Sequence, residues 1–425
     1  MINKIKYVLT NKTLYTLSFV TVGNLFNAGL GFVALIFVSR SLGPEKFGVF
    51  SVIFGFFALL SKMGDFGTNQ SAMRYIAHYR AKGNTIDQKK IVGFFLGVTY
   101  LLIGVSALVF FPTYKLIADF LHVGPYSSLI LLAVVFSFAF VLFNTYSVIF
   151  QSYEKFTPYV LIFFFVGIFK LVSVFLFSSG NTSSISPYLL IYFLSPLIGY
   201  LLFYYQYHVV NGVRIKPNLN KKTFLIMTPF IYYMAISDVT GAIAGQVGVF
   251  TSSVLLNSYQ TGLYSAALKL SSVFTLIAGS IGTVLIPKAS KYSDYANISA
   301  FAKKAMILGI LIFICLLPIA FFPKFFITIT SGANYVGGAK TLTILTFAGG
   351  FTIMSSSFAS VFYSLERADY FAATGILNLL FTIPIMYILG NSYGINGIAL
   401  ATLISSATFY LVALFYYFYL TNEKK

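Results

Sequence analysis

The chain contains 425 residues, of which 58% are hydrophobic and only 9% are charged, and its mean hydropathy is +0.86. Soluble domains carry about 25% charged residues, so this chain lacks the polar side chains that would cover a water-facing surface. The net charge of +18 could suggest nucleic-acid binding, but the basic residues lie in short segments between apolar stretches and form no charged face.

Apolar stretches of about 20 residues recur along the chain and predict twelve membrane-spanning helices. The first six predicted spans are residues 14–38, 47–64, 91–111, 127–150, 158–177 and 187–209. The second six are residues 223–250, 262–286, 305–322, 341–363, 371–390 and 395–420. We therefore expect an all-α polytopic membrane protein with about twelve transmembrane helices in two pseudo-symmetric six-helix bundles, at residues 1–210 and 223–425.

The distribution of Lys and Arg predicts the orientation of these spans. If the N-terminus is cytoplasmic, the segments on the inside hold 20 Lys and Arg residues and those on the outside hold 5. Positive charge is typical of cytoplasmic loops, so this bias favours a multi-pass protein of the cell membrane, inner or plasma, with both termini in the cytoplasm. The segment 211–222 then becomes a cytoplasmic linker between the two bundles.

Two segments at corresponding positions of the halves indicate an internal repeat. SLGPEKFGVFSVI at residues 41–53 and LNSYQTGLYSAAL at residues 256–268 each place a turn, a glycine, an aromatic residue and a small residue before the next helix. Weak internal symmetry of this kind is typical of secondary transporters. Chance similarity between two helix starts is the alternative explanation.

The sequence contains no catalytic signature, and we expect neither an enzyme nor a resident metal or cofactor. It has no phosphate-binding loop motif, and its three His residues are too far apart to form a metal site. A G-x-G-x-x-A string at residues 29–34 lies inside the first span, with no strand before it. We interpret these glycines as positions of close helix packing, and the pairs Gly93/Gly97 and Gly241/Gly245 in the same way.

Three ionisable residues within predicted spans are the strongest indication of a functional site. They are Lys170, Asp238 and Lys269, in spans five, seven and eight. Such a residue costs about 2.5–3.5 kcal/mol at a helix centre on insertion scales, so a lipid-facing position is disfavoured. Neighbours at helical spacing support an inward face, because Gly262, Ser265 and Lys269 share one stripe of span eight.

These residues predict a polar passage with two kinds of group. Lys170, Lys269 and Arg40 are candidates for a cationic cavity that binds an anionic substrate such as a diphosphate. Asp238, Asn24 and Asn27 are candidates for a polar cavity or for ion coupling. The alternative is an ion pair of Asp238 with Lys170 or Lys269 that only holds helices together.

Four segments carry a resemblance to a known family. SRSLGPEKFGVFS at residues 39–51 resembles the opening signature of polysaccharide biosynthesis flippases, the O-antigen-type translocases of the multidrug/oligosaccharidyl-lipid/polysaccharide exporter superfamily. GDFGTNQSAMRYIA (64–77), TGLYSAALKLSSVF (261–274) and YGINGIALATLIS (393–405) are similar to further segments of that family. The resemblance extends from the first predicted helix to the last.

The resemblance implies a flippase that moves a polyprenyl-diphosphate-linked oligosaccharide from the cytoplasmic to the outer leaflet by alternating access. It also implies a cationic central cavity, coupling to H⁺ or Na⁺, and work alongside a polysaccharide polymerase and glycosyltransferases. A multidrug/cation antiporter of the same superfamily is the main rival, disfavoured because Asp238 is the one acidic residue predicted deep in a span. A membrane polymerase or ligase is disfavoured by the short outside loops, and a scaffold gives no reason for buried lysines.

Overall fold

The computed structural model describes residues 12–81, 85–180, 184–212, 215–289, 295–364 and 368–422. Throughout these ranges the chain is helical, with turns and one longer irregular segment between the helices and no β-strand. The helices are α1 (Lys12–Met63), α2 (Thr68–Ala81), α3 (Thr85–Phe120), α4 (Ser127–Ser152), α5 (Phe156–Ser179), α6 (Ile185–Tyr204), α7 (Lys221–Leu255), α8 (Ser258–Ala289), α9 (Tyr295–Leu316), α10 (Pro318–Phe321), α11 (Pro323–Thr330), α12 (Ala339–Ser364) and α13 (Ala368–Asn422). A π-helical segment, Tyr205–Val210, follows α6 directly.

Ten of the twelve predicted spans lie within helices, and the second ends one residue after α1; the ninth, residues 305–322, is not one helix but runs through α9 and α10 with Leu317 between them. The first two fall in α1, which is divided at Gly43, and the last two fall in α13, which is divided at Gly394. Both glycines have positive φ, of 68° and 58°, a backbone conformation that residues with a Cβ rarely adopt. Eight helices in the described part of the chain are long and apolar enough to cross a membrane, and α1 and α13 are each long enough for two spans. The predicted all-α, polytopic fold class is confirmed.

The chain folds into two compact units. The first unit contains Met1–Ser41, Phe56–Asp119 and Gly124–Val239, and the second contains Leu42–Gly55, Phe120–Val123 and Thr240–Lys425. Each unit therefore takes segments from more than one stretch of sequence. The predicted boundaries at residues 210 and 223 concern the two sequence halves, and they stay a prediction.

An aromatic core holds the first unit together. Phe94 and Phe95 of α3 are 1% exposed, and they join a cluster that includes Ile76 of α2, Phe150 of α4 and Phe203 of α6. Phe150 and Phe203 lie with their ring centroids 5.0 Å apart. Because lipid tails are as apolar as these rings, close packing rather than escape from water stabilises such contacts inside a membrane.

Helices α1 and α5 run side by side in the first unit, in the same direction. The side chains of Phe26 and Phe164 stack at 5.2 Å between ring centroids, and those of Phe37 and Phe175 meet edge to face at 5.4 Å. Farther along, the hydroxyls of Ser41 and Ser178 are 2.6 Å apart. Residue numbers rise together along this seam, which shows that the two helices are parallel.

The irregular segment 215–220 packs on α3 at Gly93 and Gly97, where the sequence had predicted close packing of another helix. The Asn218 amide donates a hydrogen bond to the Gly93 carbonyl oxygen at 2.9 Å. A Cβ on Gly93 would press on the carbonyl oxygen of Lys216, and one on Gly97 would press on that of Asn218, both within 3 Å. The Gly93/Gly97 pair thus accommodates the linker between the sequence halves.

The other glycines predicted to permit close helix packing do not do so. No atom of the described chain lies within 4 Å of a Cβ built on Gly29, Gly31, Gly241 or Gly245. The prediction was wrong for these four positions, because spacing along one helix does not reveal which side another helix occupies.

Candidate functional site

Three of the predicted polar residues lie along the seam of α1 and α5. The Asn24 side-chain oxygen accepts a hydrogen bond from the Tyr159 hydroxyl at 3.2 Å. The Asn27 side-chain oxygen lies against Gly167, where a Cβ would crowd it. Lys170 follows Gly167 by three residues and so continues the same face of α5. The structure thus places Asn24 and Asn27 in the contact of α1 with α5, and Lys170 one turn of α5 beyond the Asn27 contact.

The Lys170 ammonium lies over an aromatic ring and not beside a carboxylate. Its Nζ atom is 5.2 Å from the centroid of the Tyr192 ring on α6, and Tyr192 is only 4% exposed. Within the described part of the first unit, no carboxylate oxygen lies within 4.0 Å of this ammonium. The alternative of an ion pair between Asp238 and Lys170 is therefore absent from the structure.

The predicted stripe of α8 faces the segment Leu42–Gly55 within the second unit. Gly262 meets the backbone at Pro44, and Ser265 is fully buried. One turn later, Lys269 is partly exposed, and its Nζ atom lies 5.4 Å from the centroid of the Phe54 ring. Among the described residues of this unit, no carboxylate lies within ion-pair distance of Lys269.

The two repeat segments meet in the second unit. A Cβ on Gly48 would overlap the carbonyl oxygen of Ser258, and a Cβ on Gly262 would overlap that of Pro44. Pro44 precedes Gly48 by the same number of residues as Ser258 precedes Gly262. A reciprocal contact between equivalent residues is what a two-fold relation produces. This geometry favours a true repeat over chance similarity of two helix starts.

Asp238 belongs to a polar cluster that sequence reasoning did not assemble. Its Oδ1 atom accepts a hydrogen bond from the Gln70 side-chain amide at 3.1 Å, and Lys62 and Asp65 are close enough to influence it electrostatically. The turn containing Asp65 approaches α7 closely because Gly67 has no side chain: a Cβ there would press on the Met234–Ala235 backbone. No sequence signal relates the two segments, which are 168 residues apart at Gln70 and Asp238.

Asp65 has a structural task within this cluster. Its Oδ1 atom accepts hydrogen bonds from the Asn69 amide at 2.8 Å and from the Thr68 hydroxyl at 3.0 Å, so it caps the start of α2. Burial raises the pKa of the Asp65 carboxyl above its usual value, although these hydrogen bonds and the nearby Lys62 ammonium act to lower it.

Arg40 lies apart from Asn27 and Lys170 of the first unit. It is exposed and stands near the C-terminal end of the first half of α1, three residues before Gly43. Asn27 on α1 lies beside Gly167 on α5. Arg40 follows Asn27 by thirteen residues, which corresponds to about 20 Å along the helix axis. The structure therefore places Arg40 at a different height from Lys170, and not beside it.

Kinked helices, a reciprocal contact between two similar segments, and lysines with no carboxylate in ion-pair distance among the described residues of their own unit are the features of a helical membrane protein built like a secondary transporter. Residues 14–293 match the family model described as "Polysaccharide biosynthesis protein". This match covers more than half of the chain, and the chain belongs to the polysaccharide biosynthesis protein family. The resemblance expected from the four sequence segments is confirmed.

Curated relatives agree with this assignment. A Shigella flexneri protein named "Putative O-antigen transporter" is 24% identical over 390 residues, which cover 87% of this chain and 88% of the relative. An uncharacterised membrane protein of Methanocaldococcus jannaschii is 26% identical over 410 residues, covering 88% of this chain and 78% of that one. Both alignments extend over most of each chain, so the similarity concerns the whole fold.

Solved structures show the same fold. An inward-facing multidrug resistance MATE family transporter of the MOP superfamily aligns with a TM-score of 0.75 at 14% identity, covering 93% of this chain and 95% of that chain. The lipid II flippase MurJ, in an inward closed conformation, aligns with a TM-score of 0.74 at 18% identity, covering 93% and 86%. The fold is therefore that of MOP-superfamily transporters.

Proposed function

We propose that this protein flips a lipid-linked oligosaccharide with an anionic diphosphate head from the cytoplasmic to the outer leaflet of the cell membrane. The observation that carries the proposal is the state of Lys170 and Lys269. Lys170 lies in α5, which is long and apolar enough to span a membrane, and Lys269 lies in α8, within the eighth predicted span. Neither ammonium has a carboxylate partner in the described part of its own unit. A cation within a membrane span and without a counter-ion is costly, and function is the usual reason for keeping one.

A diphosphate is the ligand class that fits these lysines. The ammonium of Lys is a compact point charge that donates up to three hydrogen bonds, and phosphate oxygens accept such bonds readily. The sugar cannot cross the bilayer alone, because each hydroxyl buried without a hydrogen bond costs kilocalories. The family and the relative named as an O-antigen transporter support a polyprenyl-linked repeat unit as the substrate.

Alternating access requires no covalent chemistry. The basic groups take the diphosphate head from the cytoplasmic side while the lipid tail stays in the bilayer, and a change between two conformations then exposes the head outside. With the N-terminus in the cytoplasm, a membrane potential of about 100 mV, positive outside, drives each outward-moving negative charge with about 2.3 kcal/mol. The polymerase and glycosyltransferases of the same pathway are the proposed working partners.

Coupling to H⁺ or Na⁺ is proposed to act through Asp238. The carboxylate contacts Gln70 and has Asp65 and Lys62 nearby, so its charge state affects a cluster that joins α1, α2 and α7. Asn24 and Asn27 supply uncharged polar groups near Lys170. Arg40, exposed at the end of the first span, is proposed to attract the anionic head and not to hold it.

The test is neutralisation of the lysines in the organism that carries the protein. Deletion of the gene is expected to trap a lipid-linked oligosaccharide on the cytoplasmic leaflet and to remove the surface glycan. Lys170→Gln and Lys269→Gln should each lower flipping at least about tenfold, because a charge-assisted hydrogen bond is worth about 1.5–3 kcal/mol. Lys115→Gln, at an exposed lysine near the end of α3, is the matched control. Full surface glycan in both lysine variants, at normal protein levels, would contradict the proposal.

A multidrug/cation antiporter is the second candidate, and the MATE alignment is the observation that favours it. The two proposals differ in the charge of the substrate. Efflux of cationic dyes from cells that express this chain, with no change in surface glycan on deletion, would select the antiporter.

A further inference from the structure

Lys170 and Lys269 each have an aromatic ring next to the ammonium group. Lys170 on α5 lies over the Tyr192 ring of α6, at 5.2 Å from Nζ to the ring centroid. Lys269 on α8 lies over the Phe54 ring, on the second half of α1, at 5.4 Å. In each case the ammonium of a partly exposed lysine faces an aromatic ring contributed by another helical segment. Neither ring was singled out from the sequence, because a ring in an apolar span is ordinary.

These distances lie within the range of a cation–π interaction. A ring attracts an ammonium because its face is negative, and the attraction is strongest when water is excluded. Tyr192 is 4% exposed, so its ring lies in the protein interior rather than in lipid or solvent. The ring therefore offers the partly exposed ammonium of Lys170 a fixed contact on the side that faces the protein interior.

An aromatic ring and a carboxylate differ in whether they leave the positive charge of the ammonium available to an anion. A carboxylate would neutralise the ammonium and would compete with a phosphate oxygen for the same N–H groups. An aromatic ring carries no net charge, so the positive charge stays available on the side of the ammonium that faces away from the ring. The pairing thus suits a cation that must be held still and yet must accept and release an anion.

We propose that Tyr192 and Phe54 are positioning residues, whose rings hold the Lys170 and Lys269 ammonium groups ready for the substrate diphosphate. The inference rests on the proposed function, since it assumes that the two lysines bind an anion. It adds the requirement that each lysine works only with its ring, and that the hydroxyl of Tyr192 is dispensable for this task.

The experiment measures binding of farnesyl diphosphate to the purified full-length chain by isothermal titration calorimetry, with farnesol as the uncharged probe. Tyr192→Leu and Phe54→Leu should each weaken farnesyl diphosphate binding about tenfold, which corresponds to ~1.4 kcal/mol, and should leave farnesol binding unchanged. Tyr192→Phe and Phe54→Tyr keep a ring and should restore most of the affinity that the Leu variants lose. Weakening of both probes alike by the Leu variants would overturn the inference, since it would indicate lost packing.

A matched control separates positioning from general packing. Tyr188 lies one turn before Tyr192 on α6 and is fully buried, but no lysine lies over its ring among the described residues. Tyr188→Leu should lower thermal stability to a similar extent and leave farnesyl diphosphate affinity within about twofold of the unmodified protein. An equal loss of diphosphate affinity in Tyr188→Leu would also count against the inference.

The lysine variants distinguish failure of the inference from failure of the proposed function. If Lys170→Gln and Lys269→Gln weaken diphosphate binding and the two Leu variants do not, the rings have no positioning role and the proposed site stands. If the lysine variants bind farnesyl diphosphate normally, the proposed site itself is wrong and the inference falls with it.

Discussion

Replacing Gly262 by Ala tests a very close backbone contact in the second unit. The added Cβ would overlap the carbonyl oxygen of Pro44 and would lie 3.1 Å from the amide nitrogen of Gly48. Both neighbours are backbone atoms, so no flexible side chain can move aside. The helices must separate or bend, and insertion of a methyl group into such a contact costs about 1–3 kcal/mol.

A second glycine of this chain provides the control for the intrinsic effect of Gly→Ala in a helix. Gly241 lies inside α7, and no described atom comes within 4 Å of a Cβ placed there. Gly241→Ala should therefore be neutral or should stabilise the protein by about 0.5–1 kcal/mol, because Ala loses less backbone freedom than Gly on forming a helix. The difference between Gly262→Ala and Gly241→Ala isolates the steric term.

The double variant strengthens the test. Gly48→Ala inserts a methyl group at the equivalent place of the same contact, against Ser258. Once one methyl group has separated the backbones, the second has less to displace. The loss of stability in the double variant should therefore be smaller than the sum of the losses in Gly262→Ala and Gly48→Ala. Thermal unfolding in detergent, followed by far-ultraviolet circular dichroism, gives the melting temperatures of the unmodified protein, the three single variants and the double variant. Equal melting temperatures for Gly262→Ala and Gly241→Ala would refute the reasoning.

Three further changes have definite expectations. Asp65→Ala removes the cap of α2 and should cost about 1 kcal/mol, whereas Asp65→Asn keeps an accepting oxygen. Because burial raises the pKa of Asp65, the contribution of its protonated carboxyl to stability is greatest below the usual pKa of 3.8 and is lost as pH rises through the folded-state pKa. The melting temperature of Asp65→Asn should not show this decrease with rising pH. Identical pH profiles of melting temperature for Asp65→Asn and the unmodified protein would contradict this expectation. Ser265→Ala removes a buried hydroxyl that has no hydrogen-bond partner among the described residues, so it should be neutral or stabilising by calorimetry, and a loss above about 1 kcal/mol would contradict this. Gly97→Val should displace the segment around Asn218 and expose it to limited proteolysis, which Gly29→Val should not do.

The fold was predictable because apolar length is a strong signal. Eleven of the twelve predicted spans coincide with a helix to within one residue, since a membrane leaves the backbone no alternative but to form its hydrogen bonds within the segment. The ninth is divided at Leu317, where Pro318 begins a new short helix. The continuous form of α1 and α13 was less predictable. A loop was expected between residues 38 and 47, but one residue with positive φ, Gly43, redirects the chain, and Pro44 starts the next helix directly.

The candidate site was predictable in its residues more than in its partners. Helical spacing placed Gly262, Ser265 and Lys269 on one stripe, and the structure directs that stripe toward protein. Spacing along one helix carries no information on which other helix lies opposite. For that reason the rings of Tyr192 and Phe54 could not be inferred from a single sequence.

The cluster around Asp238 shows the same limit. Asp238 was found because a carboxylate in an apolar span is rare, whereas Gln70 and Asp65 belong to a polar segment where such residues are common. Their proximity depends on the close approach of the Gly67 turn to α7, which is a tertiary contact.

The docking of residues 215–220 on α3 has a consequence for cutting the chain. If the gene is divided between Gly212 and Ile215, the downstream fragment begins with an irregular tail, residues 215–220, whose Asn218 amide donates a hydrogen bond to the Gly93 carbonyl oxygen of the upstream fragment. That tail, followed by the first turns of α7, supplies the downstream fragment with its own attachment to the first unit. Two co-expressed pieces should therefore reassemble into a working carrier without any covalent link, and shortening the tail to residue 220 should prevent it.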